Sequence, residues 1–137
     1  MKIRVIEYGK VKLSPVFKKR VKRLIGYILR GEEHSFSEIN VILTTDNRIK
    51  RINRTFLGKN RPTDVISFNL DEIGEIYISV DTARKRAKEY GFDAEYEMAR
   101  YCIHGLLHIV GYDHKDKSKA RLMGKKEEEY LALWEKS

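Results

Sequence analysis

The sequence has little cysteine and proline and no long apolar run, and each scarcity excludes a class of protein. Cys102 is the only cysteine among 137 residues, so an internal disulfide is impossible and a reducing compartment is indicated. The opening residues 1–5 include two basic side chains and show no apolar leader, so we expect a cytoplasmic protein. We expect no membrane association, because a span needs about 20 consecutive apolar residues. No linker divides the chain, so residues 1–137 are predicted to form one domain.

Acidic residues are scarce in the first part of the chain. The protein carries a formal net charge of +8. Residues 1–61 contain 16 Lys and Arg against 5 Asp and Glu, whereas residues 62–137 contain 12 against 15. Basic charge concentrated in this way favours a polyanionic partner, and a nucleic acid is the leading candidate. An ion-paired surface, or an acidic partner protein, is the alternative.

Hydrophobic spacing predicts alternating strands and helices, followed by helices alone. The predicted strands cover residues 3–8, 39–44, 65–68 and 75–80, and the predicted helices cover 15–31, a short segment after Asp46, 81–91, 94–110 and 117–135. Only about six residues join the last two strands, which predicts an antiparallel pair. The predicted class is therefore α+β, with a small mixed β-sheet of about four strands covered by helices.

The same patterns predict helix starts and buried faces. Ser14, Asp46 and Asp81 are predicted to be N-caps. The short helix is predicted to turn Ile49, Ile52 and Phe56 inward. The last helix is predicted to bury the apolar residues at helical spacing, which are Ala120, Met123, Tyr130, Leu131 and Trp134.

Three of the four histidines fall within eleven residues and indicate a metal site. His104 and His108 are four residues apart on a predicted helix and therefore share one face. Gly111 is placed to end that helix and to return His114 towards them. Three imidazoles with one open position are typical of catalytic zinc, so one zinc ion per chain is expected. The spacing matches the histidines and glycine of the metzincin His-x3-His-x5-His motif, so a zincin-like metal-binding helix is predicted.

Other residues near the motif bear on its chemistry. Cys102 is predicted to lie in the core, because it is about 200° of helix rotation from His104, and His34 is predicted to be exposed in a loop. Zinc peptidases carry Glu directly after the first histidine as the base, but Gly105 stands there. Asp113 is the nearest carboxylate in the sequence, and it could act as a base, orient a histidine ligand or form a turn.

The segment from Ile52 to Glu127 resembles the bacterial YbeY family of ribosomal RNA maturation factors. The resemblance rests on the run from His104 to His114, on the Pro-Thr-Asp segment that begins at Pro62, and on Ile52-Asn53, Gly74-Glu75-Ile76, Ser79, Met123 and Glu127. It implies a zinc-dependent, single-strand-specific endoribonuclease that acts in small-subunit ribosomal RNA maturation and in ribosome quality control. The family's ligands carry over to His104, His108 and His114.

One departure from the family concerns a basic residue. Many members have Tyr-Arg ahead of the Pro-Thr segment, whereas this chain has Phe56-Leu57. We expect Arg61, or else Lys59, to contact the phosphate, because an arginine fork suits phosphate. Arg61 and Asp113 are thus the catalytic candidates. Two other functions stay open: a peptidase-like zinc hydrolase, and a non-catalytic zinc-binding factor associated with the ribosome and one of its proteins.

Overall fold

The computed structural model describes residues 1–137 and contains four strands and five helices. They are β1 (Lys2–Glu7), α1 (Pro15–Gly31), β2 (Glu38–Thr44), α2 (Asp46–Leu57), β3 (Val65–Leu70), β4 (Ile73–Ser79), α3 (Val80–Tyr90), α4 (Ala94–Ile109) and α5 (Lys117–Lys136). None of these helices combines the length and the apolar character that a membrane crossing requires.

The strands form one mixed sheet in the order β1-β2-β4-β3. β1 and β4 both run parallel to β2. β3 pairs antiparallel with β4, as the short connection predicted. The α+β class and the four-stranded mixed sheet are therefore confirmed, and β3 lies at one edge of the sheet, beside α4.

One apolar core lies between the sheet and the helices α1, α4 and α5. Leu106 and Leu107 of α4 are fully buried and belong to a cluster of 26 buried residues that includes Ile39, Val41 and Ile76 of the sheet. α4 is buried on most of its surface because the sheet, α1, α3 and α5 all contact it. His104 and His108 therefore lie on a helix that is held by packing on several sides.

Two predicted helix starts are wrong by one or two residues. Thr45, rather than Asp46, caps α2, and Ser79, rather than Asp81, caps α3 through its side-chain oxygen. Each aspartate lies in the first turn of its helix, where it suits the positive end of the helix dipole. The Asp46 carboxylate accepts hydrogen bonds from the hydroxyls of Ser79 and Thr82, so it ties α2 to α3.

The predicted inward face of α2 is correct only at its start. Ile49 is buried and Ile52 half-buried, but Phe56 is 67% exposed, so that prediction is wrong. Asn53 occupies the buried position on the last turns, where its amide donates to the Arg61 carbonyl at 2.9 Å. The side chain of Asn53 thus holds the following loop, and Phe56 lies on the exposed side of α2.

The other burial predictions fare better. Met123, Tyr130 and Trp134 of α5 are buried, with Ala120 and Leu131 half-buried. Cys102 is buried in the core, and His34 is exposed.

Candidate active site

Three imidazoles meet at the C-terminal end of α4. His104 and His108 project from successive turns of the helix, and His114 follows it. Their ring centroids are 4.7 to 5.2 Å apart. One ring nitrogen from each histidine can be chosen so that all three lie within 4.8 Å of one another. The three residues could therefore hold a metal ion.

A tight turn at Gly111 brings His114 back to the helix. Gly111 has φ +113°, a conformation that a side chain would strain. Its N–H donates to the His108 carbonyl at 3.1 Å, and the next N–H, of Tyr112, donates to the Leu107 carbonyl at 3.0 Å. The turn predicted from the sequence is thus present.

A buried carboxylate fixes the loop that carries His114. Glu32, at the end of α1, accepts hydrogen bonds from the hydroxyls of Tyr112 and Tyr130, and Lys126 lies 3.4 Å from it. Burial opposes ionisation, but these partners hold the pKa of Glu32 below its usual value. Burial and the contact with Glu32 raise the pKa of Tyr112 to about 12, so that hydroxyl stays a donor.

A second carboxylate, for which the sequence alone suggested no role, orients His104. Glu127 Oε1 of α5 lies 2.7 Å from His104 Nδ1. Nδ1 is therefore the donor to this carboxylate, and Nε2 is left free to bind a metal. Glu127 lies at helical spacing between the buried residues Met123, Tyr130 and Trp134. An acidic residue on that inward stripe was the signal that could have identified it.

The surroundings of His108 suit a neutral imidazole. Burial, together with the neighbouring rings of His104 and His114, lowers the pKa of His108. A neutral ring is the form that binds a metal. Cys102 lies in the core, and burial raises the pKa of its thiol to about 12, so it supplies no thiolate.

Glu97, Arg100, His104 and His108 form a polar stripe along α4, and its first half is an ion pair. Glu97 is only 2% exposed and accepts two hydrogen bonds from Arg100, at 3.1 and 2.8 Å. This pairing gives Glu97 a structural reason to be buried. The stripe therefore divides into a structural pair and the two histidines.

A cleft of about 410 Å³ joins the histidines to the basic loop after α2. The residues that line it are Asn53, Leu57, Lys59, Arg61, Thr63, Val65, Ile66, Ser67, Asn69, His104, Gly105, His108 and Ile109. The structure therefore brings Arg61 and Lys59 to the same cleft as His104 and His108. Leu57 lines it too, at the position where the family resemblance places arginine.

Comparison with known proteins assigns the chain to a family. The sequence profile described as Endoribonuclease YbeY matches residues 6–135. The chain belongs to the YbeY family. An Endoribonuclease YbeY of Geobacter sulfurreducens is 39% identical over 136 residues, which cover 90% of this chain and 91% of the relative. Another, of Exiguobacterium sibiricum, is 35% identical over 153 residues and covers 98% and 96% of the two chains.

A solved structure has a similar fold. The solution structure of a Thermotoga maritima protein matches 96% of this chain and 88% of its own length, with a TM-score of 0.72 and 32% identity. The family resemblance predicted from the histidine motif is confirmed along nearly the whole chain by the sequence profile and the relatives.

In this YbeY chain, Gly105 lies where α4 touches the sheet. A Cβ added there would lie 2.9 Å from Ile76 Cγ2 and 3.2 Å from Val65 Cγ2. A larger side chain would force the helix away from β3 and β4. The position after the first histidine therefore has no room for the glutamate that zinc peptidases use.

Asp113 and Asp64 each accept a hydrogen bond from a nearby backbone N–H. Asp113 accepts a hydrogen bond from the Lys115 N–H at 3.0 Å, and this bond lowers the pKa of the carboxyl. Asp64 accepts from the Val65 N–H at 2.8 Å, at the entrance to β3. Asp113 thus makes the turn contact considered for it, and its part in proton transfer stays a prediction.

Proposed function

We propose that this protein is a zinc-dependent endoribonuclease that hydrolyses phosphodiesters of single-stranded RNA. The observation that carries the proposal is the cleft in which Arg61 and Lys59 face His104 and His108. A site for cleaving a phosphodiester needs cationic groups beside the metal ligands, because negative charge develops on the phosphoryl oxygens. The relatives' name, Endoribonuclease YbeY, supports RNA as the substrate.

One zinc ion per chain, held by His104, His108 and His114, is the proposed cofactor. The donor set supports this choice, because three imidazoles that leave one position open form a common catalytic zinc site. When bound, zinc supplies Lewis acidity, which polarises a phosphoryl oxygen and makes water more acidic. Glu127 keeps the proton of His104 on Nδ1 and so keeps Nε2 directed to the metal.

The residues of the cleft supply the rest of the chemistry. Arg61 binds and orients the phosphate, with Lys59 as a second cation, because a guanidinium can pair with two phosphate oxygens at once. Asn53 holds the Arg61 carbonyl and so fixes the loop. Asp113 lies outside the cleft, next to His114 in the chain, and is the proposed proton acceptor through Oδ2, because its Oδ1 accepts the Lys115 N–H.

The proposed setting is the maturation of small-subunit ribosomal RNA and ribosome quality control in the cytoplasm, with residues 1–137 working as one hydrolase domain. Phosphate contacts give affinity without sequence preference. Selection of a cleavage position therefore falls to the ribosomal small subunit or to a ribosome-associated protein.

One alternative is favoured by a specific observation. Leu57 places an apolar side chain in the cleft where the resemblance implies arginine, which suits a zinc-binding ribosomal factor with negligible cleavage. The peptidase alternative loses its base, because Gly105 leaves no space for glutamate.

Cleavage assays separate these functions. The purified protein is incubated with single-stranded RNA or with casein, each with and without a chelator. We expect RNA cleavage that stops with the chelator and returns with added zinc, and no casein cleavage. Intact RNA with zinc bound would support the non-catalytic factor, and casein cleavage would support the peptidase.

A further inference from the structure

A second groove lies on the face of the sheet opposite α4. It has a volume of about 520 Å³ and lies between the strands β1, β2 and β4 and one side of α2. Arg4, Asn40 and Glu75 are neighbours across its floor. We call it the sheet-face groove. It is separate from the catalytic cleft, with which it shares no lining residue.

Aromatic rings stand along the sheet-face groove in fixed positions. Phe56 and Tyr8 are 67% and 47% exposed. Phe56 meets the edge of Phe68 at a centroid distance of 5.6 Å, and Phe68 meets Tyr77 at 5.9 Å. The Arg48 guanidinium lies 3.6 Å from the ring centroid of Tyr8. These contacts hold flat apolar surfaces that a nucleobase can stack on.

The charge of the groove suits an anion. Arg4, Arg48 and Arg51 line it, against Glu75 as the one acidic lining residue. Arg4 pairs with Glu38 at 3.4 Å, but Arg48 and Arg51 have no carboxylate within salt-bridge distance. Two guanidinium groups on one helix are thus available for phosphates.

An unpartnered polar atom lies at the floor of the same groove. Asn40 is 8% exposed, and its Nδ2 donates to Glu38 at 3.1 Å. Its Oδ1 accepts no hydrogen bond. Because a buried acceptor without a donor is costly, an N–H group reaching the floor would be favoured there.

We propose that the sheet-face groove binds a segment of the single-stranded RNA substrate outside the catalytic cleft. Bases stack on Tyr8 and Phe56, while phosphates pair with Arg48 and Arg51. Aromatic and guanidinium stacking is how proteins hold unpaired bases, including on the faces of four-stranded sheets. An acidic peptide would use the arginines but not the aromatic faces. This proposal rests on the proposed function for its substrate.

The position of α2 connects the groove to the site of cleavage. Asn53 and Leu57 of this helix line the cleft, and Ile52 and Phe56 line the groove. A strand that passes over the last turns of α2 therefore reaches both surfaces. The groove would add affinity for longer RNA without touching the bond that is cleaved.

Binding measurements test the groove directly. The full-length protein is titrated into fluorescent oligouridine of about 12 nucleotides, and anisotropy is read before cleavage proceeds. We expect Phe56→Ala to weaken binding about tenfold, as loss of one stacked base does. We expect Arg48→Ala to weaken it by a similar factor, because a phosphate contact is lost. The matched controls are Phe92→Ala, also an exposed aromatic at 54%, and Arg84→Ala, on the exposed side of α3. Both should bind as the parent does.

Crosslinking locates the RNA without any substitution. Oligouridine that carries 4-thiouridine should crosslink to Tyr8 or Phe56 on irradiation. If the parent cleaves RNA but neither groove variant weakens binding and no crosslink maps to the groove, the groove proposal is wrong and the proposed function stands. RNA that crosslinks to the groove but is never cleaved would support the groove and contradict the proposed function. Polyglutamate, as a model acidic peptide, is titrated with the same proteins. If the two variants lose polyglutamate binding but keep RNA binding, the groove is a protein site and the proposal is overturned.

Discussion

Replacing Glu127 tests how the metal centre is supported from outside the histidine motif. Its Oε1 lies 2.7 Å from Nδ1 of His104, and the His104 and Glu127 side chains are 30% and 23% exposed. Since less than a third of either side chain is exposed, water replaces the lost carboxylate only in part. In Glu127→Ala the His104 ring loses the partner that fixes both its orientation and its tautomer.

The expected loss of zinc affinity follows from that contact. Removing a carboxylate that backs a metal-binding histidine costs about 10- to 100-fold in metal affinity. This corresponds to about 1.4 to 2.7 kcal/mol, at 1.36 kcal/mol for each factor of ten. Glu127→Gln keeps an acceptor without the charge, so we expect a smaller loss, because a charge-assisted hydrogen bond is about twice as strong as a neutral one.

Competition with a chromophoric chelator measures zinc affinity in each variant after metal removal. Glu128→Ala is the matched control, because Glu128 is the neighbouring, exposed carboxylate of α5. RNA cleavage is followed in the same samples at saturating zinc, where we expect most of the activity to return. Equal zinc affinity in the Glu127→Ala and Glu128→Ala proteins would refute the orienting role.

Four further predictions concern the site and its supports. Alanine at His104, His108 or His114 should each lower the zinc content measured by metal analysis, whereas His34→Ala should not; equal zinc in all four would refute the ligand set. Arg61→Ala should lower RNA cleavage about tenfold or more with zinc content intact, and Leu57→Arg should raise cleavage; two variants indistinguishable from the parent would contradict the role given to the basic loop. Gly105→Ala should lower the free energy of unfolding, measured with denaturant, by about 1 to 3 kcal/mol, because the added Cβ overpacks against Ile76. Gly124→Ala, with open space around its added Cβ, should instead raise it by up to about 1 kcal/mol. If Gly124→Ala were the less stable variant, α4 would not lie flat on the sheet. Glu32→Gln should lower the free energy of unfolding by about 1 to 3 kcal/mol at pH 7. Because folding lowers the pKa of Glu32, its stabilising contribution is present above the ordinary pKa of about 4.3 and is lost as the pH falls through the folded-state pKa. A stability difference between variant and parent that persists in acid would count against this contact.

Local sequence patterns were enough to predict most elements and the three-histidine cluster. His104 and His108 are one helical turn apart, so their proximity follows from helix geometry alone. Gly111 could be identified because few other residues tolerate that turn. The antiparallel pairing of β3 and β4 followed from the length of their connection.

Features that depend on distant contacts could not be found in this way. Glu127 is 23 residues from His104, and their contact depends on how α5 crosses α4. The burial of Asn53 in place of Phe56 depends on a hydrogen bond to a loop, which apolar periodicity does not register. The strand order β1-β2-β4-β3 rests on pairings between segments far apart in the sequence.

Because of the contacts that α5 makes, the zinc affinity of the proposed site should depend on whether this last helix has docked. This helix follows the histidine motif in the chain, yet it supplies Glu127 to His104 and Tyr130 to Glu32. A nascent chain that has not yet docked α5 already contains every ligand, but neither the ring orientation nor the anchored loop. If zinc binds as proposed, such a chain would hold the ion weakly, and the affinity would rise once the last helix has docked. Zinc would in turn stabilise the docked state by mass action.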